Sequence, residues 1–258
     1  MEYKDKKKVV LQDVEADGVI EGRNAVTEAL RAGVAIDKIF IAKGETDRTL
    51  GHIASTARAA GVVVVDADRR KLDHMSRTHS HQGVIALASV REYATVDSML
   101  EAAEKKGEKP LLVICDELSD PHNLGAVIRT AECAGAHGVI IPKRGAAGLT
   151  ATVARTSAGA LNYTPVAKVT NMAATIEELK KEGLWFVCAD MGGEVMYNLN
   201  LKGAIGLVIG NEGEGVSRLV REKCDYIASI PMKGDIDSLN ASVAAGVLAY
   251  EIVRQRMS

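Results

Sequence analysis

The stretch LLVICDELSDPHNLGAVIRTAECAGA, residues 111–136, decides the architecture. Its first five residues are apolar without alternation, the pattern of a strand buried on both faces. Beyond the polar turn, Leu124, Val127, Ile128 and Ala131 recur at i, i+3, i+4 and i+7, the period of an amphipathic helix. A buried strand feeding a helix is half of a parallel crossover. Two residues are out of place in it. Asn123 opens the helix, and Arg129 sits in its second turn beside the buried stripe.

Outward from there the alternation of strand and helix continues. Strands are expected at 138–141, near Val166, at 184–190, 204–210 and 226–232. Helices are expected at 123–134, 150–161, 173–182, 216–224 and from Asn240 onward. The reading is an α/β domain over 110–258, a parallel sheet covered on both faces. Upstream, residues 18–91 read as a small α/β unit, with helices near 24–32 and 53–60 and strands at 38–42, 62–65 and 83–87. Residues 1–17 read as a charged, aperiodic tail, and 92–109, ending in a charged Gly/Pro stretch, as a linker.

Composition excludes several classes. With 47% hydrophobic and 26% charged residues the 258-residue chain is expected to be a soluble globular protein. Only 3% aromatic residues argue against rows of stacked bases, and a net charge of −2 requires that any polyanion be met by a local basic patch. Cys115, Cys133, Cys188 and Cys224 are scattered, without C-x-x-C or metal spacing. We expect a reducing compartment, no disulfide and no metal. No run approaches 18 uncharged apolar residues, so no membrane span is expected, and the location expected is cytoplasmic.

In a parallel α/β sheet ligands sit beyond the carboxyl ends of the strands, and three of those ends carry unusual residues. One is the stretch already quoted. The second is GNEGEG, residues 210–215, whose glycines allow close backbone approach. It is neither the dinucleotide G-x-G-x-x-G nor a P-loop, and Glu212 and Glu214 would repel phosphate. A ligand carrying positive charge fits it better, and a plain tight turn is the alternative. The third is IPMKGDIDSLNAS, residues 230–242, where SLNAS alone reads as a helix start capped by Ser238 or Asp237. Asn123 and Arg129 alone read as a capping residue and an exposed helical arginine.

Taken in order, N-x5-R, GNEGEG and IPM-x6-LN resemble the three motifs of the SpoU/TrmH branch of the SPOUT RNA methyltransferases. The resemblance covers roughly residues 111–256. It implies a parallel α/β domain whose C-terminal stretch threads a trefoil knot, and an enzyme moving methyl from S-adenosylmethionine to a ribose 2′-oxygen. It further implies Asn123, Arg129, Glu212, Ser238 and Asn240 as catalytic residues, Gly210, Ile230 and Leu239 as main-chain cofactor contacts, and a homodimer joined through the knotted region. Asp235 and Asp237 make the third motif more acidic than the resemblance leads one to expect.

Upstream, EGRNAVTEAL (residues 21–30) and HQGV (81–84) are similar to the L30e-like domain of bacterial 23S rRNA methyltransferases of the RlmB type. That likeness points to a guanosine of 23S rRNA, with tRNA as the alternative. A non-catalytic RNA-binding protein on the same scaffold is the competing class, against which the intact Asn123, Arg129 and Asn240 count; a nucleotide-dependent Rossmann enzyme lacks its fingerprint. For RNA contact the candidates are Arg23 and, within RRKLDHMSRTHSH (69–81), Arg69, Arg70, Lys71, Arg77 and His81; a solvated loop is the alternative reading of that stretch. His122 and His137 are read as structural.

Overall fold

In the strand segment IFIA, residues 39–42, every side chain is claimed by a core, because successive residues point to opposite faces and both faces are covered. The computed structural model describes residues 18–44, 47–211 and 213–258. It falls into two units, divided between Glu92 and Tyr93, with residues 148–152 counted to the first. The first unit runs β1 (Val19–Glu21), α1 (Arg23–Arg31), β2 (Ile36–Ala42), α2 (Arg48–Ala59), β3 (Val63–Ala67), α3 (Arg69–Met75) and β4 (Val84–Ala88). Its sheet order is β1-β4-β2-β3, parallel only between β2 and β3. On one face Ile39 and Ile41 meet Val26 and Ala29 of α1 and Leu50 and Ile53 of α2. On the other, Phe40 and Ala42 meet Leu72 of α3. The helix α2 starts where the Asp47 carboxylate accepts from Thr49 N (2.7 Å) and Leu50 N (3.3 Å), satisfying two amides of its open first turn.

The second unit contains α4 (Val96–Lys106), β5 (Leu111–Cys115), α5 (Pro121–Cys133), β6 (Gly138–Pro142), most of α6 (Ala151–Thr156), β7 (Val166–Val169), α7 (Met172–Lys181), β8 (Trp185–Val195), β9 (Ile205–Ile209), α8 (Arg218–Arg221), β10 (Tyr226–Ser229) and α9 (Ala241–Met257). Six strands form one sheet, β10-β8-β9-β5-β6-β7, and every pairing in it is parallel. Leu112, Ile114, Ile140, Phe186 and Val208 pack against Met99 of α4 and Ile176 and Leu179 of α7. Leu124, Val127 and Ile128 of α5 and Leu248 and Ile252 of α9 are buried, α9 lying along α5.

Several elements differ from the sequence reading. The stretch read as a linker is largely α4, an 11-residue helix capped by Thr95 Oγ1 and ended by left-handed Gly107, with Met99 and Ala103 fully buried. The helix expected over 150–161 breaks after Thr156, because Ala158 and Gly159 take left-handed φ of 48° and 90°, and resumes as a 3-10 turn at Ala160–Asn162. The strand expected to end at Asp190 continues to Val195. A side chain on Gly193 would collide with the Ile227 carbonyl, so glycine is what permits that continuation. The charged stretch from Arg69 begins as a helix, α3, rather than a loop. The tail read over residues 1–17 lies outside the described residues.

Candidate active site and RNA-facing surface

Beyond Ile209 the chain closes a loop on itself. Asn211 N donates to Gly215 O (3.2 Å) and Gly215 N to Asn211 O (3.1 Å), while Asn211 Oδ1 accepts from Gly213 N (2.9 Å) and Glu214 N (2.7 Å). A Cβ on Gly210 would collide with the Gly215 carbonyl, so no side chain fits at the strand exit. The loop's far end is anchored by Ser217 N on Asp116 Oδ2 (2.8 Å), a buried carboxylate directly after β5. The GNEGEG stretch is thus a tight turn and, at the same time, one wall of a cleft. Glu212 lies outside the described residues.

That cleft, about 420 Å³, opens at the carboxyl ends of β9 and β10 and against the middle of β8. It brings Gly210, Ile230, Ser238 and Leu239 together. Ile209, Ala228, Ala241 and Ala244 add small apolar surface, and Asp190, Glu214 and Asp237 add carboxylates, with no Lys or Arg among the described lining residues. Asp190 accepts from Arg221 Nε (2.7 Å) and Gly192 N (3.2 Å). Partial burial works against its ionisation, but the Arg221 hydrogen bond and charge with the Gly192 amide prevail, holding the carboxyl below its ordinary range. The sequence reading missed Asp116, Asp190 and Asn211. The first two carry one legible signal, an acidic residue directly after, or closing, a buried apolar run.

Asn240 caps α9. Its Oδ1 accepts from Ser242 N (2.9 Å), Val243 N (3.4 Å) and Ser242 Oγ (2.6 Å), which turns Nδ2 outward to donate to Asn123 Oδ1 (2.9 Å). The first and third motifs therefore meet side chain to side chain. Asn123 is buried, and it is Asp120, not Asn123, that caps α5, accepting from His122 N (3.0 Å). Arg129 takes no part in this contact. It is exposed, lies outside the cleft lining, and has no hydrogen-bond or ion-pair partner among the described residues. His137 is structural: buried, it accepts from Leu111 N through Nδ1 and faces Glu108 Oε2 through Nε2 (3.1 Å).

A model of the SpoU rRNA Methylase family matches residues 110–250, more than half of the chain. The chain belongs to that family. A second model, RNA 2′-O ribose methyltransferase substrate binding, matches residues 19–94. YacO of Bacillus subtilis (strain 168), named as a TrmH family tRNA/rRNA methyltransferase, is 47% identical over 91% of this chain and 94% of its own length. Among solved structures, the SpoU methyltransferase AviRb from Streptomyces viridochromogenes, in complex with AdoMet, matches all of this chain and 98% of its own at a TM-score of 0.60 and 24% identity, a likeness of fold. The TrmH/SpoU tRNA modifying enzyme of A. aeolicus matches 62% of this chain and 84% of its own at a TM-score of 0.52 and 27% identity. No group of three or more His, Cys, Asp or Glu placed to hold a metal occurs among the described residues, and no helix there is long and apolar enough to cross a membrane.

In this SpoU-family chain the basic candidates of the first unit divide. Arg69, Arg70 and Lys71 form the exposed first turn of α3, with Lys71 Nζ 4.9 Å above the Phe40 ring, and Arg77 is exposed in the following loop. Arg23 and His81 do not join them. The Arg23 guanidinium donates to Gln82 O (3.0 Å) and Asp47 Oδ2 (2.8 Å), and so holds the loop before β4 to the start of α2. His81 is buried, accepting from Gly83 N through Nδ1 (3.0 Å) and facing Asp73 through Nε2 (3.0 Å). Both were expected at the RNA surface; in the structure the buried His81 is held inside the fold and the part-exposed Arg23 is engaged by Gln82 and Asp47. Glu21, overlooked in the sequence, sets the loop that carries Arg77, accepting from Ser76 Oγ (2.5 Å), Arg77 N (2.7 Å) and Thr78 Oγ1 (2.9 Å).

Proposed function

We propose that this RNA methyltransferase uses S-adenosylmethionine to methylate a ribose 2′-hydroxyl, the substrate being a guanosine of 23S rRNA. One observation carries the reading: a cleft of apolar residues and backbone, with no Lys or Arg among its described lining residues, stands beside the Asn123–Asn240 pair. The donor set fits the cofactor. A slot lined by Ile209, Ala228, Ile230 and Leu239 suits an adenine, and carboxylates suit a cation where they would repel a nucleotide phosphate. Bound there, the cofactor supplies an activated methyl on a positively charged sulfur.

The protein's part is to orient and stabilise. Gly210, Ile230 and Leu239 present main chain to the cofactor, and Ser238, Asn240, Asn123 and Glu212 surround the hydroxyl. Arg129 grips a phosphate and stabilises the charge developing on the 2′-oxygen. A guanidinium stays protonated in proteins, so Arg129 acts through its charge and not as a base. The proton passes to a phosphate oxygen or water. Further proposals on the same reading are a trefoil knot in the second unit, a homodimer, and a cytoplasmic location.

The rRNA reading is supported by the description of the family matched over residues 110–250, SpoU rRNA Methylase, and the tRNA modifying enzyme of A. aeolicus matches only 62% of this chain. Mapping 2′-O-methyl sites on total RNA from a deletion strain against its parent tests this. Loss of one 23S guanosine methylation is expected. Loss at a tRNA position alone reassigns the substrate, and no loss in any RNA overturns the reading.

A further inference from the structure

The two aspartates of the third motif have no individual role in the chemistry above, and of them Asp237 lines the cleft while Asp235 does not. Glu214 lines the same cleft from the glycine loop. Neither side chain has a hydrogen-bond or ion-pair partner among the described residues, whereas the third lining carboxylate, Asp190, is taken up by Arg221. Lys233 of the third motif and Arg218 of α8 are outside the lining, and Arg218 faces Glu222 at 3.7 Å. Both residues are exposed, so water screens them in part, but their place on the rim of a concave, partly apolar site gives the cleft a negative potential.

We infer that Asp237, with Glu214, makes the cleft a discriminator of charge, holding the sulfonium cofactor more tightly than its neutral thioether product. This rests on the methyltransferase reading and deepens it. The two ligands share adenosine, ammonium and carboxylate, and differ by one methyl and one positive charge. Backbone contacts and the apolar slot meet what the two ligands share, so fixed negative charge acts on the charge by which they differ. Methyl transfer removes the cation, and the carboxylates then cease to favour what remains, so the same groups that load the site help to empty it.

Calorimetry on the full-length protein tests this with S-adenosylmethionine, S-adenosylhomocysteine and sinefungin, which carries an amine near the methyl position. Asp237→Asn should weaken S-adenosylmethionine and sinefungin about three- to tenfold and S-adenosylhomocysteine less than twofold, the range of one partly screened charge pair. Glu214→Gln should act in the same direction. The ratio of S-adenosylmethionine to S-adenosylhomocysteine affinity in the wild type should fall as salt rises, and Asp235→Asn should leave the ratio at the wild-type value. Equal loss for all three ligands in Asp237→Asn, or no loss, overturns the inference and leaves the methyltransferase reading standing. Failure of the wild type to bind any of the three overturns both.

Discussion

At the scale of single residues, Arg129 separates stability from chemistry. An exposed side chain with no partner among the described residues contributes little to folding, so Arg129→Ala should change stability by no more than about 0.5 kcal/mol. Methyl transfer should nevertheless fall by about 10² or more, the cost of removing one donor aimed at developing charge. Arg129→Lys should rescue little, because an ammonium cannot span phosphate and hydroxyl as a planar fork does. Thermal melting beside single-turnover methylation checks both halves; near wild-type rates would make Arg129 an ordinary surface residue. Glu21 is the converse case, a residue committed to structure. Its partial burial opposes ionisation, yet the hydrogen bonds from Ser76, Arg77 and Thr78 win and lower its pKa from 4.5. A depressed folded pKa stabilises the protein fully above the unfolded value and loses that stability as pH falls through the folded one. Glu21→Gln should cost about 1 kcal/mol at neutral pH. The wild type should then lose stability more steeply than the variant as acid titration proceeds below about pH 4.5, as read from urea midpoints.

Among the elements, α3 is where charge and helix coincide. Replacing Arg69, Arg70 and Lys71 together by Ala should weaken RNA binding and flatten its salt dependence, by about 0.7–0.9 in slope for each phosphate no longer neutralised. Cofactor affinity should not change. Filter binding across a salt series, with calorimetry for the cofactor, decides it; an unchanged slope removes α3 from the interface. This helix also shows why parts of the fold were hard to read. The strands β5, β6 and β9 were legible because residues buried on both faces leave nothing for alternation to hide. In α3 only Leu72 is buried, too little to set a period. In α4 the burial of Met99 and Ala103 was masked by the charged run that follows them. For the cleft, Gly210, Ile230, Ser238 and Leu239 were legible through motif order. Asp190 was not, since its place depends on a strand that continues through two glycines.

For the whole molecule, α9 has more apolar surface than one chain covers. Its Leu248 and Ile252 are buried, while Val243 and Tyr250 stay about half exposed, Tyr250 Oη reaching Cys133 O at 3.5 Å. Apolar residues left in solvent on a helix packed along α5 suit contact with a second copy. Light scattering should find about twice the 27.4 kDa chain mass. Val243→Asp with Tyr250→Asp should yield a folded monomer with the circular dichroism of the wild type. A wild-type protein of single-chain mass at micromolar concentration would exclude the dimer.

The Asn123–Asn240 hydrogen bond joins positions 117 residues apart, and it has a consequence for how this sequence can change. The helix cap fixes which end of the Asn240 amide faces Asn123, so the two residues cannot drift one at a time. Asn240→Asp would keep the cap and set oxygen against oxygen; Asn123→Leu would remove the acceptor that Asn240 Nδ2 meets. Each substitution alone is a loss, and the two amides form a single heritable trait written in two distant places.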